Sequence, residues 1–407
     1  MNRMFYRCLI SAALAACLLP FAGAPAFSGV RQKDWTVMLY VNGKNDLEAA
    51  ALADVNEMEK AGSTDRVNIV VELGRAKRFD ASDGDWAGAR RYLVKKDADP
   101  GKIASPVLAE FPEVDMGDWR HLAEFGKWAK ANYPARRYLF IVWNHGNGWY
   151  KGAASAATKA ISLDSETGSQ VYTWQLGQAL AGTGKVDIYG SDACLMQMAE
   201  VAFELREHAD FILGSEESVP GEGFPYDKLL QTLVDEPGIS PENLGIKAVE
   251  AYAAFYQEPR TAAISLLRAS KLPELARRLD AWTYAVVSPE EKENMTAAQR
   301  GVLRFYNGNM NDSADLHMLV KLMGEGTKNP GLAEESRSLM NFIERDLVVL
   351  SRASGQDREA RGIAVYLPTN YYDTDYDRLA WAKATNWAGF ANWAFKLIAP
   401  PYKKLPD

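Results

Sequence analysis

A thiol and an imidazole stand in two short stretches of this chain, each at the end of an apolar run. The stretch "VDIYGSDACLMQ" (186–197) carries Cys194, and "YLFIVWNHG" (138–146) carries His145. Continuous apolar runs of this length suit strands buried on both faces. One helical segment separates them, so the default topology makes them neighbouring parallel strands about 4.8 Å apart. In parallel α/β sheets, reacting residues collect beyond the carboxyl ends of the strands. An imidazole beside a thiol at such a rim suits nucleophilic catalysis, in which the base takes the proton and the thiolate attacks a carbonyl. The glycines around His145 and Asn147 would let a substrate backbone approach closely.

Other uses of the same residues must be weighed. A free cysteine is commonly a small buried hydrophobe, and a histidine in a Gly/Asn-rich turn can serve local hydrogen bonds alone. His121 and His208 lie on helical segments among charges, and His317 lies in "ADLHMLV". Three cysteines and four scattered histidines show no metal-ligand spacing. Asp164, in "ISLDSETG", has the reach to orient His145, but an Asx-turn is its simpler use. The eleven tryptophans fall mostly beside apolar residues, which favours packing over a carbohydrate-binding surface.

The elements that must position these groups alternate strand and helix. "WTVMLYV" (35–41), "VNIVVEL" (67–73), "YLFIVWNHG", "VDIYGSDAC" and "FILGSEE" (211–217) read as strands, with "ARRYLVKK" (89–96) as a hairpin arm. Helices are predicted over 45–62 with Asn45 or Asp46 as cap, over 118–133, near "TWQLGQALAG", and over 195–208 directly after Cys194. Later helices at 241–257 and 271–287 flank the strand "TAAISLLRA", and "GIAVYLP" (362–368) reads as one more buried strand. The fold class is α/β, a mainly parallel central sheet with helices on both faces and a helix-rich C-terminal subdomain. The expected divisions are a leader at 1–26, a catalytic domain at 27–235, and a C-terminal region at 236–407 that adds late strands to the sheet.

The leader has a basic start ("MNRMFYR"), an apolar run and an "APA" site before Phe27. Export to the periplasm or medium follows, with cleavage after Ala26. "LAAC" also reads as a lipoprotein site that would anchor the protein to a membrane through Cys17. Cys8 and Cys17 both lie in this segment, so Cys194 is the single thiol of a chain cut after Ala26. The formal net charge is −7, and it becomes more negative when Arg3 and Arg7 leave. That balance argues against a nucleic-acid partner.

Five segments in order resemble the clostripain family of cysteine peptidases. They are "WTVMLYVNGKNDLE", "YLFIVWNHGNGW", "VDIYGSDACLMQMAEVAFEL", "GSEESVPGEGFPY" and the pair "ADLHMLV" and "GIAVYLP". The resemblance implies a caspase-like three-layer sandwich, with His145 as general base and acid and Cys194 as nucleophile. It implies an oxyanion hole from the backbone N–H groups of Gly146 and Cys194. It also implies cleavage after Arg or Lys, with Asp192 at the floor of the S1 pocket and Glu222 where a second acid, often Asp, is expected. For Asp192 the competing use is a helix cap, and for Glu222 a solvated loop carboxylate. Members of the family are often cut between the histidine and the cysteine after a basic residue, which points to Lys159 and then Lys151. No cofactor is implied, and calcium dependence, known in some relatives, is left open. Two competing functions are a catalytically silent binding or scaffold protein of the envelope and an unrelated α/β hydrolase using the same dyad.

Overall fold

The computed structural model describes residues 32–150, 160–307 and 310–399. The expected leader with Cys17 and the expected cut sites Lys151 and Lys159 lie outside the described residues. The first half runs through β1 (Lys33–Gly43), α1 (Glu48–Glu59), β2 (Val67–Arg75), β3 (Gly88–Leu93), β4 (Val107–Phe111), α2 (Trp119–Asn132) and β5 (Ala135–Trp143). It continues with α3 (Thr173–Thr183), β6 (Val186–Asp192), α4 (Ala199–Leu205), β7 (Ala209–Gly214) and α5 (Tyr226–Asp235). Then come α6 (Pro241–Phe255), β8 (Ala262–Arg268), α7 (Leu272–Val286), α8 (Lys292–Gly301), β9 (Arg304–Asn307), β10 (Met310–Asp315) and α9 (Leu316–Gly326). The chain closes with α10 (Pro330–Phe342), β11 (Val348–Ser354), β12 (Ala364–Tyr366), α11 (Ala380–Ala384) and α12 (Trp387–Ile398).

Nine strands form one sheet in the order β11-β8-β7-β6-β5-β1-β2-β3-β4. The five central strands, from β7 to β2, are mutually parallel, and the two strands at each edge run antiparallel. Side chains alternate along β1: Val37, Leu39 and Val41 pack towards α1, α5 and α6, whereas Met38 and Tyr40 pack towards α2 and α3. Burial on both faces explains why the central strands read as unbroken apolar runs. The result is the expected α/β sandwich with a mainly parallel centre.

The late strands divide between two sheets. β8 and β11 extend the large sheet at its β7 edge, but "GIAVYLP" contributes β12 to a separate three-stranded sheet with β10 and β9. Its full burial made it look like a strand of the large sheet, and a short strand under helices is buried in the same way.

The helix expected directly after Cys194 begins later, at Ala199. Residues 195–198 are instead fastened to neighbouring loops. Leu195 N–H donates to Glu217 O, Gln197 N–H to Ser215 O, and Met198 bridges to Ala364. Leu195 adopts φ of 61°, a left-handed conformation that is uncommon for a bulky residue and incompatible with an α-helix. The apolar spacing that suggested a helix here comes from side chains packing around a turn.

Candidate active site

The chain goes one way from β1 to β2 and later returns to the other side of β1 as β5, so the sheet has a switch point between β1 and β5. Ligand crevices in open α/β sheets form outside the carboxyl ends at such points. β5 and β6 are adjacent and in register, with Trp143 opposite Asp192. His145 and Cys194 each follow two residues later, at the same rim. The sequence expectation that these strands are neighbours holds.

Gly146 makes the close approach of the two turns possible. A Cβ placed on it would lie 2.4 Å from the Cys194 carbonyl oxygen, 2.8 Å from the Ala193 Cβ and 2.9 Å from the Cys194 nitrogen. No larger residue fits without moving backbone. Asn144 ties the histidine turn to its surroundings: its Nδ2 donates to Asn42 O, and its Oδ1 accepts from Leu163 N–H at 2.9 Å.

The thiol of Cys194 is partly buried and rests against the loop after β7. Val219 N–H donates to its Sγ at 3.3 Å. Burial pushes the thiol pKa up, and the charges of Glu217 and Asp192 act in the same direction, opposed by hydrogen bonds from Val219 and Ser218. The imidazole of His145 is engaged elsewhere, with Nε2 2.9 Å from Asp46 Oδ1. Among the described residues, no hydrogen bond joins Cys194 to His145.

Asp192 is buried and does not cap a helix. Its Oδ2 accepts from Phe224 N–H at 2.9 Å and from the Tyr226 hydroxyl at 2.8 Å. Burial raises its pKa to about 6, those two bonds holding it back. Asp54, from α1, lies nearby and accepts from Trp143 Nε1 at 2.7 Å. Its pKa is pushed well up by burial and then by the charge of Asp192. Both Oδ2 atoms crowd Gly223, whose φ of 62° belongs to a turn that a side chain would strain. Glu222, in contrast, is half exposed and paired with Arg260, whose Nη2 lies 2.7 and 2.8 Å from its two carboxylate oxygens. That pairing lowers the Glu222 pKa.

Several site residues escaped the sequence reading. Asp46 and Asp54 looked like ordinary acids of a helix start and a helix face. In fact α1 has Leu47 at its cap position, and Asn45 Oδ1 accepts from Leu47 N–H, which leaves the Asp46 side chain facing His145. Tyr252, from α6, has a buried hydroxyl with no hydrogen-bond partner, in the electrostatic reach of Asp192 and Cys194. Asp164 makes the Asx-turn anticipated for it, accepting from Glu166 and Thr167 N–H, and pairs with Lys44 at 3.0 Å. His121 and His317 pair with Glu72 and Glu344, away from this rim. Among the described residues, no group of three or more His, Cys, Asp or Glu side chains is arranged to hold a metal ion.

A mainly parallel sheet between helical layers, with a histidine turn and a cysteine turn at one rim, defines a caspase-like protein. The family profile described as the clostripain family matches residues 39–393, and the chain belongs to that family. It is 30% identical over 230 residues to clostripain of Hathewaya histolytica, a match covering 51% of this chain and 44% of that protein. The chain therefore spans less than half the length of that curated relative. Its fold is also similar to solved structures. A secreted C11 cysteine protease of Bacteroides thetaiotaomicron, in complex with an irreversible peptide inhibitor, superposes with a TM-score of 0.65 at 21% identity over 87% of this chain and 99% of that one. An inactive zymogen C11 protease of Parabacteroides distasonis gives 0.64 at 18% identity over 87% and 98%.

Proposed function

We propose that this protein is an exported cysteine endopeptidase that cleaves after Arg or Lys through His145 and Cys194. The observation that carries the proposal is the juxtaposition of the two turns through Gly146, together with membership of the clostripain family. In the reaction, the thiol turns from Val219 and gives its proton to His145. The thiolate forms a bond to the scissile carbonyl carbon, the C–N bond breaks, and the imidazolium returns its proton to the leaving amine. Water activated by His145 then cleaves the thioester and restores the thiol. The N–H groups of Gly146 and Cys194 are the proposed donors to the oxyanion, a contribution worth on the order of a hundredfold or more in rate.

The basic preference rests on Asp192. A carboxylate held by two neutral donors, with no cation paired to it among the described residues, is poised for a guanidinium or ammonium from a substrate. Asp54, whose pKa burial and Asp192 push well up, adds a second carboxyl group beside it. Glu222 already holds Arg260, so we assign it a lesser part at the edge of S1. The division of the chain at about residue 235, export by cleavage after Ala26 or anchoring through Cys17, and a cut after Lys159 or Lys151 belong to the same proposal. The Parabacteroides relative is an inactive zymogen, which is consistent with activation by cleavage.

Cleavage of a peptide library by the purified protein tests the function. Products ending in Arg or Lys are expected, with none from Cys194→Ala or His145→Ala at unchanged Tm. An N-terminus beginning "AISLD" in the active protein would mark the cut after Lys159. No labelling of Cys194 by a basic peptidyl electrophile would instead favour the catalytically silent scaffold.

A further inference from the structure

We infer that Asp46 is the positioning residue of the catalytic histidine. It fixes the His145 imidazole in the tautomer that carries its proton on Nε2 and leaves Nδ1 as the base. The inference rests on the proposed peptidase function for its catalytic meaning and on the structure for its geometry.

Asp46 Oδ1 lies 2.9 Å from His145 Nε2, a hydrogen-bond distance. A carboxylate can only accept, so the nitrogen facing it carries the hydrogen. In a neutral imidazole the other nitrogen, Nδ1, then holds the lone pair. A hydrogen bond to one ring nitrogen thus decides which nitrogen can take the proton of Cys194.

The loop that carries Asp46 is held by a network that reaches the histidine turn. β1 and β5 are neighbours, with Val41 opposite Trp143, so the loops beyond their ends lie side by side. Asn42 O accepts from Asn144 Nδ2 in the histidine turn and from Asn45 Nδ2 in the loop after β1. Asn45 Nδ2 also donates to Leu163 O at 2.9 Å, and Lys44 N–H donates to Asn42 Oδ1 at 3.0 Å. The residues on either side of Asp46 are therefore fixed to the same buried frame that fixes Asn144, next to His145. Once the thiol proton moves to Nδ1, the ring becomes a cation with Asp46 beside it, and the carboxylate favours that charged intermediate.

Asp46→Ala should lower kcat about ten- to a hundredfold with KM little changed, the usual scale for a misplaced catalytic group. Asp46→Asn should recover most of the loss, because its amide oxygen can still accept from Nε2–H. ¹⁵N-histidine NMR should show His145 as the Nε2–H tautomer in the wild type and Asp46→Asn, and as a mixture in Asp46→Ala. The rate of Cys194 alkylation by iodoacetamide should fall in Asp46→Ala, a readout that needs no peptide substrate. Wild-type kcat and alkylation rate in Asp46→Ala would overturn the inference, as would an unchanged tautomer. If the wild type cleaves no peptide, the peptidase reading fails while the tautomer and the alkylation rate still decide the role of Asp46.

Discussion

Two pairs of buried carboxyl groups lie near the nucleophile turn, and their surroundings differ. Asp192 and Asp54 each commit one oxygen, to Phe224 N–H and the Tyr226 hydroxyl and to Trp143 Nε1 respectively, and no described group donates to either Oδ1. Glu216 and Asp315 lie buried beside each other, and burial raises the pKa of both. Backbone N–H groups fasten them: Met318 and Arg361 donate to the two oxygens of Asp315, and Gly362 to Oε2 of Glu216. Burial alone does not separate a binding site from a fastening. The first pair leaves one oxygen on each carboxyl without a donor among the described residues, as the proposed cation site requires. The second takes three backbone N–H groups and holds the loop after β7 to the start of α9 and the approach to β12.

The largest expected effect lies in the first pair. Asp192→Asn should lower kcat/KM for Arg substrates about a hundredfold or more while leaving slow cleavage at neutral residues nearly unchanged. An equal loss on both would assign Asp192 to structure and erase the contrast with Glu216. The wild-type kcat/KM for Arg substrates should rise as pH increases through about 6, where Asp192 releases its proton.

Between the pairs, Gly146→Ala should destabilise the fold by about 1–3 kcal/mol, as overpacking does, and should remove most activity. The predicted Cβ contacts with Ala193 and Cys194 leave the added methyl no free direction. Chemical denaturation and turnover of the same preparation measure both; unchanged values would show that the turns are further apart than 2.4 Å implies.

The second pair should show itself in stability. Burial raises the pKa of Asp315 to about 6 and that of Glu216 well above its usual value, so both bind protons more tightly folded than unfolded. Their contribution is complete below about pH 4, where unfolded carboxyls titrate, and fades as pH rises through about 6 and beyond. The wild-type Tm should therefore fall between pH 5 and 7, by a few degrees on the scale of roughly one kcal/mol per pKa unit. Glu216→Gln should flatten that slope and leave the preference for basic substrates intact. A slope identical to wild type would show that Glu216 does not set it.

The smallest effect belongs to the exposed pair. Glu222→Gln should reduce kcat/KM for Arg substrates less than tenfold and keep Tm within about a degree, since exposed ion pairs contribute little. A loss as large as that of Asp192→Asn would make Glu222 a full partner in S1.

Much of the site could be read before the fold was known. His145 and Cys194 end apolar runs whose composition marks central parallel strands, and one intervening helix makes the strands neighbours. Asp192 enters as an S1 candidate through the family resemblance, which implies an acid two residues before the cysteine. Asp46 and Asp54 were not found, because their roles depend on which turn of α1 faces which strand end, and the sequence there shows only acids in a helical region. The missed start of α4 has a similar origin: Leu195, Met196 and Met198 have helical spacing, yet hydrogen bonds to Ser215 and Glu217, distant in the chain, hold them in a turn.

From the amino-acid order alone came the alternation of strands and helices, the positions of the proposed nucleophile and base, and the family resemblance. These are legible because burial on both faces and local turn chemistry leave their mark on neighbouring residues. Tertiary structure was needed to show that β12 leaves the large sheet, that Glu222 meets Arg260, that Asp54 lies beside Asp192, and that Asp46 reaches His145. Each of these depends on contacts between segments far apart in the chain, and the local sequence carries no record of its distant partner.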